Sequence, residues 1–474
     1  PLSDAFFVAF RIPNTFRRLF SEGTFNAAFV PSYASELRKS NKKAEDFSNQ
    51  IFNFLVIVLL IVVLIIEIFM PLFIKLIAPG FTDSDPKFEL AILLTRITFP
   101  FLFFISIASF FAAILNSHNK FAVSAAAPII LNLILIIILL IDLSLEDKIV
   151  IYLSYGVSVS GLLQLLVLFY FVKKFFSPKI SFKFKFNNKI KFFFKKLVPS
   201  IFSSGVTQIN ILVGTIIASL QANAVSYLYY ADRIYQINLA IAGIAIGTIL
   251  LPSLSKYIST NNLAKINFIQ QKSLELSLFL SMPAMFALLV GSEQITSSLF
   301  GYGSFDILSV KNSSKALFFF AFGVPAFAFI KIFSAFLFAR QDTKTPFYFS
   351  VISVLLNIII SVTFFGKIGF IIIPIATSIS SWINVILLFL FLNSKNYFVL
   401  NNTMIFSSLK TLCASSVSIY SFYLILNEFS NLFAYNSDYK FLYMIFAVLL
   451  AIIIYLVTSI LTKAFKLSDI NLKY

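Results

Sequence analysis

The sequence predicts an all-α polytopic membrane protein: two six-helix lobes in parallel repeat, the first lacking its first helix here, then two extra C-terminal helices. Three observations predict it. Hydrophobic residues fill 59% of the 474 positions and charged residues only 12%, whereas soluble domains carry about 25% charged residues. Apolar runs of about 20 residues, enough to cross roughly 30 Å of hydrocarbon, recur along the whole chain. Only helices satisfy their own backbone in such runs. Finally, the second half echoes the first at an offset of 221–225 residues.

The apolar periodicity places spans at 2–37, 47–77, 88–116, 121–142, 148–172, 197–220, 222–258, 265–300, 312–339, 346–365, 368–393, 404–427 and 440–463, thirteen in all. Several exceed what a bilayer requires, so tilt or kinks are expected. The organisation follows: an N-terminal lobe over 1–175, a basic cytoplasmic linker over 176–196, a C-terminal lobe over 197–395, and two further helices over 404–463.

Loop charge gives the orientation, because Lys and Arg stay on the cytoplasmic side. Arg38, Lys39, Lys42 and Lys43 follow the first span, and residues 173–196 hold nine lysines and no acid. The alternate loops carry Asp83, Asp85, Glu89, Glu146, Asp147, Glu428 and Asp438. The N-terminus is therefore expected in the periplasm and the C-terminus, with Lys463, Lys466 and Lys473, in the cytoplasm. The chain begins at Pro1 without a basic leader, and one further span upstream is expected, for fourteen. The linker KKFFSPKISFKFKFNNKIKFFFKK is also compatible with an anionic-lipid patch. Obedience to the charge rule accounts for it without a nucleic-acid partner.

In the repeat, FVAFRIPN (7–14) faces YYADRIYQ (229–236), and FVPSY (29–33) faces LLPSL (250–254). Arg11 falls on Arg233, Pro31 on Pro252, Pro100 on Pro325 and Asn132 on Asn357. Equivalent helices lie six spans apart, an even number, so the halves share one orientation. Parallel repeats of this kind build alternating-access carriers with a central site.

Ionised side chains at mid-depth cost roughly 2.5–3.5 kcal/mol on insertion scales, so each needs a partner, a wet cavity or a ligand. The first span carries Asp4, Arg11, Arg17, Arg18 and Glu22; the seventh carries Asp232 and Arg233; Lys331 lies in the ninth. At a rise of ~1.5 Å per residue, Arg17 and Arg18 sit ~22–24 Å from the start of their span. Arginine clusters on repeat-equivalent helices point to one cationic cavity, and the guanidinium fork suits phosphate oxygens, so a phosphorylated or pyrophosphorylated cargo is expected. The alternative is that Asp4, Arg11, Arg18 and Glu22 pair along one helix. Glu67 and Lys75 are expected to snorkel, and Arg96 has no evident partner.

One cysteine, one histidine and one tryptophan leave no room for a disulfide framework, a Cys/His metal site or a thiol dyad. Cys413 reads as a buried small residue, His118 as a solvated loop residue and Trp382 as helix packing. No cofactor and no metal are expected.

The strings DAFFVAFRIPNTFRRLFSEGTFNAAFVPSY, APGF, LLTRITFP, AAILNSHNKF, YYADRIYQ, GTILLPSLSK and FARQDTKTP closely resemble the MurJ (MviN) family of lipid II flippases, over nearly the entire chain. The resemblance implies a fourteen-helix fold of the multidrug/oligosaccharidyl-lipid/polysaccharide (MOP) exporter superfamily. It implies a transporter, not an enzyme, that moves undecaprenyl-pyrophosphate-linked peptidoglycan precursor from the inner to the outer leaflet of the bacterial cytoplasmic membrane. The partners are then lipid II and membrane lipids, with the chain acting as a monomer. Arg17 and Arg233 match pyrophosphate-contacting positions, with Arg18, Asp4, Asn14, Glu22, Ser226 and Asp232 as neighbours in the cavity.

Two departures stand out. The family's first helix, with further cavity arginines, is absent from this sequence, and Gln236 stands where members often carry Glu after ADR. The spans 346–365 and 368–393 contain no acid, so sodium coupling there is unsupported. On an unbroken helix Asp4, Arg11, Arg18 and Glu22 share a stripe that turns Arg17 away, and a break at Pro13 and Asn14 would reconcile this with the resemblance. The competing readings are an exporter of another polyprenyl-linked glycan or of an organic cation, a membrane enzyme on polyprenyl-phosphate sugars, and a scaffold. A basic cluster disfavours organic cations. No loop exceeds about 25 residues, short of the extramembrane carboxylate site an enzyme usually builds. A scaffold has no use for buried arginines.

Overall fold

A computed structural model describes residues 2–21, 24–81, 86–141, 148–181, 191, 193, 195, 208–239 and 245–464. Among these residues every regular element is helical, as expected for the all-α fold class. In chain order the helices are α1 (Leu2–Ser21), α2 (Thr24–Leu37), α3 (Asn41–Ile68), α4 (Met70–Ile77), α5 (Pro86–Thr98), α6 (Pro100–Ser117), α7 (Phe121–Ala126), α8 (Ile129–Ile141) and α9 (Ile149–Val172). Then come α10 (Gln208–Ser219), α11 (Ala224–Leu239), α12 (Ala245–Ser259), α13 (Leu263–Phe300), α14 (Ile307–Ala321), α15 (Val324–Phe338), α16 (Lys344–Ile368), α17 (Ile372–Ser394), α18 (Asn402–Glu428) and α19 (Lys440–Leu461).

Each expected segment falls on one helix or on two consecutive ones, 197–220 only over its described part. Eight stretches of the described residues are long and apolar enough to cross a membrane as they stand, and α14 with α15, bent by 41°, makes a ninth. The first expected segment, 2–37, is carried by two helices, α1 and α2.

Local chemistry explains many of the ends. Ser40 and Asn262 cap α3 and α13 by accepting the backbone N–H groups of Lys43 and Lys265, and Asp306 caps α14 by accepting that of Ser309. The repeat-equivalent Pro100 and Pro325 stand in the first turns of α6 and α15, where no N–H is required.

α1 runs without interruption from Leu2 to Ser21 with Pro13 inside it, so there is no break at Pro13 and Asn14 to reconcile the stripe with the resemblance. The reason is a hydrogen-bond substitution. Proline cannot donate to the carbonyl four residues back, that of Ala9, and the Thr98 hydroxyl of α5 donates to it instead, at 3.1 Å. The same device recurs in α13. Pro283 orphans the carbonyl of Phe279, and the Tyr455 hydroxyl of α19 donates to it at 2.7 Å. Neighbouring side chains that re-satisfy such carbonyls are what make proline tolerable in a membrane helix.

The chain divides into two compact units, Pro1–Ser226 and Tyr227–Tyr474. In the first, α6 is the central helix, packed on α9, α1, α2 and α3, while α8 lies against α9. In the second, α15 packs on α17, α12 and α13, and α16 lies against α17. Under the sequence repeat the pairings of α6 with α9, α2 and α3 and of α8 with α9 correspond to those of α15 with α17, α12 and α13 and of α16 with α17, while the packing of α1 on α6 belongs to the first unit. The last two helices, α18 and α19, pack on each other and on α13.

Both units turn large apolar side chains outward. Leu133, Ile137 and Leu140 on α8 and Phe446, Leu450 and Ile453 on α19 are exposed, a surface that hydrocarbon covers at no cost and water does not. Cys413 belongs to this outer surface of α18. It is exposed, not buried as its size suggested. Trp382 packs as expected, donating its Nε1–H to the Phe322 carbonyl at the α14–α15 bend and meeting the Phe329 ring edge to face.

Candidate functional site

In the first unit the candidate polar residues lie on α1. Asp4 is 1% exposed, and its Oδ1 accepts both the backbone N–H of Ser226 at 2.8 Å and its hydroxyl at 2.5 Å. Asp4 and Ser226 are thus in direct contact. A carboxylate in hydrocarbon needs such donors, and a residue at the start of α11 supplies two, since the first N–H groups of a helix have no partner of their own.

Asn14 is buried one turn before Arg17. Arg11 donates from Nε to the Thr215 hydroxyl of α10 at 3.0 Å, and Thr15 donates to the Arg11 carbonyl at 2.8 Å. The side chains of Arg17 and Arg18, and the whole of Glu22, lie outside the described residues.

In the second unit the helix pattern of α11 explains its site. Tyr227, Leu228, Ala231, Ile234 and Tyr235 are buried at helical spacing. Tyr230 meets Phe300 and Phe305, and Tyr235 stacks on Phe320. The opposite face carries Tyr229, Asp232, Arg233 and Gln236, all partly buried.

Arg233 donates to the Tyr229 hydroxyl one turn back and lies 4.6 Å from the centroid of that ring, so a cation–π contact fixes its direction. Gln236 donates its amide to Asp232 at 2.5 Å. Gln236 therefore serves as a donor to a carboxylate, which a Glu at that position could do only when protonated.

Two expectations change. His118 is not a solvated loop residue: it is partly buried, 2.9 Å from the Tyr33 hydroxyl and stacked on Phe175. Arg96 is exposed on α5 within electrostatic reach of Glu67 on α3, which supplies the partner that the sequence did not show. Lys331 is exposed on α15. Thr215 and Tyr229 hold Arg11 and Arg233, and Thr215 carried no signal of its own in the sequence. Tyr229 was open to discovery, since it precedes Arg233 by four residues and so faces it on a helix.

Buried and half-buried polar groups on α1 and α11, set among helices long and apolar enough to cross a membrane, define a multi-pass membrane protein with polar positions inside its helical bundles. The same fold is seen in an inward-facing multidrug resistance MATE transporter of the MOP superfamily. It aligns with a TM-score of 0.70 at 15% identity, over 83% of this chain and 93% of that one. The family described as "Lipid II flippase MurJ" matches residues 1–444, and the chain belongs to this MurJ family.

A solved structure of "Lipid II flippase MurJ, inward closed conformation" aligns with a TM-score of 0.81 at 28% identity, covering 98% of this chain and 93% of that one. Among relatives, "Probable lipid II flippase MurJ" of Rhizobium meliloti (strain 1021) is 39% identical over 400 residues, 82% of this chain and 74% of that protein. "Lipid II flippase MurJ" of Burkholderia cenocepacia is 32% identical over 409 residues, 84% of this chain and 78% of that protein.

Proposed function

We propose that this chain is a lipid II flippase of the bacterial inner membrane, a transporter and not an enzyme, carrying undecaprenyl-pyrophosphate-linked peptidoglycan precursor from the inner to the outer leaflet by alternating access. The observation that carries the reading is the family match over residues 1–444. Alternating access draws support from the fold, since MATE relatives of the superfamily have been solved both inward-facing and outward-facing.

The pyrophosphate is assigned to Arg17 and Arg233, with Arg18, Asp4, Asn14, Glu22, Ser226 and Asp232 shaping their surroundings. A guanidinium offers two parallel donors to phosphate oxygens, and a low-dielectric setting strengthens them. By helical spacing in the sequence, Arg18 falls seven residues after Arg11 and fourteen after Asp4, and Arg17 falls off that stripe, so substitutions at the two positions test separate assignments. Both repeats lie in one chain, which favours a monomer as the working unit.

The lobes are assigned to 1–175 and 197–395, joined by the cytoplasmic linker 176–196 and followed by the helices over 404–463. Loop charge supports a periplasmic N-terminus and a cytoplasmic C-terminus. A membrane-impermeant thiol reagent is expected to leave a cysteine at Lys185 unmodified in intact cells, and its labelling from outside would overturn that orientation.

Translocation of labelled lipid II in proteoliposomes tests the assignment. Arg17→Ala and Arg233→Ala should each weaken transport by roughly 10- to 150-fold while the protein still inserts, because a charged hydrogen bond worth ~1.5–3 kcal/mol is lost from the ligand. Arg→Lys at either site should retain part of it. Wild-type rates in both alanine variants would refute the pyrophosphate role. A larger defect in Arg18→Ala than in Arg17→Ala would move the role to the Asp4–Arg11 stripe.

A further inference from the structure

The repeat extends beyond the membrane spans to a small cluster at one end of each unit. In the first unit α6 ends at His118, whose ring stacks on Phe175 with centroids 4.2 Å apart and 17° between planes. Phe175 begins the segment that leaves α9, and the next residue, Phe176, is 2% exposed among Phe52, Phe110 and Phe111. Two asparagines of α3 then hold that segment by its backbone. Asn49 Oδ1 accepts the Lys179 N–H at 2.7 Å, Asn53 donates to the Lys179 carbonyl at 2.9 Å, and Asn53 Oδ1 accepts the Ser181 N–H at 2.8 Å.

The second unit repeats this. Arg340, just past the end of α15, lies 4.5 Å from the ring centroid of Tyr397 and donates to the carbonyls of Tyr397 at 3.1 Å and Phe336 at 2.9 Å. Phe398 is 2% exposed against Phe333 and Phe336. Gln270 of α13 donates to the Tyr397 carbonyl at 3.0 Å. His118 and Arg340, Phe175 and Tyr397, and Phe176 and Phe398 are each separated by the same offset as Arg11 and Arg233. Asn119 and Gln341, which follow the two stacked residues, both adopt the left-handed conformation, with φ of 60° and 63°.

We propose that these are duplicate clamps on the segment leaving each repeat, and that the clamp of the first unit, built with an imidazole where the second has a guanidinium, is loosened when His118 takes up a proton. With Nδ1 protonated, the neutral ring presents Nε2 as acceptor to the Tyr33 hydroxyl at 2.9 Å. The imidazolium has donors at both nitrogens, and that acceptor is gone.

Tyr33 from α2 is the titratable group in contact with the ring; the charged residues of the adjoining segments are Lys120 two residues on, Lys173 and Lys174 just before Phe175, and Glu45 on α3. Glu45 acts electrostatically on Tyr33 and is ion-paired with Lys179 at 3.5 Å. Burial holds His118 below its ordinary value of 6.5. The held state therefore binds fewer protons than the released one. Its stabilisation is present above the ordinary value and is lost as pH falls through it toward the lowered one. Arg340 keeps its charge across this range, so the second clamp does not respond.

Hydrogen–deuterium exchange of the full chain in lipid nanodiscs, at about pH 7.5 and about pH 5.5 with intrinsic rates corrected, reads the clamp directly across the histidine range. The Lys179 and Ser181 amides should lose protection on acidification while the segment 395–398 does not. His118→Arg should remove the pH dependence of 176–181, with unchanged exchange in α6 and α9 showing that the variant is folded. Protection of Lys179 and Ser181 that is independent of pH in the wild type would overturn the proposal, as would an unchanged pH response in His118→Arg.

Discussion

Replacing Tyr455 by Phe removes one oxygen and nothing else, yet the structure assigns that oxygen a definite task. Pro283 leaves the Phe279 carbonyl without a helical donor, and the Tyr455 hydroxyl fills the gap at 2.7 Å from a residue that is 6% exposed. Without it a buried carbonyl faces hydrocarbon unpaired, which costs about 1–2 kcal/mol once relaxation within a membrane is allowed for. In a folding unit of roughly 250 residues that corresponds to a fall in Tm of about 2–8 °C.

The decisive measurement is a double-mutant cycle in thermal unfolding of the purified protein. Pro283→Ala supplies its own N–H to the Phe279 carbonyl. Tyr455→Phe should therefore cost its full amount when Pro283 is present and close to nothing in the Pro283→Ala background, a coupling of about 1–2 kcal/mol. Equal costs in the two backgrounds would refute the account of how α13 passes through its proline. So would the absence of any cost in the first.

Two further outcomes follow from the packing. Lys440 is 1% exposed, with its ammonium donating to the carbonyls of Gly301, at 2.6 Å, and Tyr435, between the rings of Tyr302 and Tyr435. Lys440→Met should lower thermal stability by about 3 kcal/mol through the carbonyls it strands, and a melting curve like that of the wild type would show that they find other donors. A Cβ on Gly80 would lie 2.0 Å from the Ser219 carbonyl oxygen, whereas one on Gly366 meets nothing within 4 Å. Gly80→Ala should therefore cost about 1–3 kcal/mol, while Gly366→Ala, inside α16, should stabilise by about 0.5–1 kcal/mol; equal melting temperatures would contradict this.

Much of the architecture was legible because the signals that set it are local. A membrane helix must be apolar over its own length and satisfies its own backbone, so hydropathy alone located the segments, and the paired prolines at 100 and 325 stood out in the repeat. The repeat was equally visible, since Arg11 and Arg233 or Asn132 and Asn357 keep their spacing whatever the fold. The family resemblance picked out both Asp4 and Ser226 as polar positions of interest, but that they bond to each other came from the structure.

The rest was decided by which surfaces meet. Pro13 reads as a helix breaker until α5 brings Thr98 to the Ala9 carbonyl, 89 residues away in sequence. Cys413 reads as a core residue by size, but α18 turns it outward, because a membrane protein has two apolar environments and composition does not distinguish protein from lipid. His118 reads as a loop residue, yet Tyr33 and Phe175 enclose it. The sequence by itself determined what could cross the membrane and what was duplicated. The tertiary structure alone decided which distant side chain answers each buried carbonyl, carboxylate or cation, because those pairings rest on contacts between helices that no local pattern encodes.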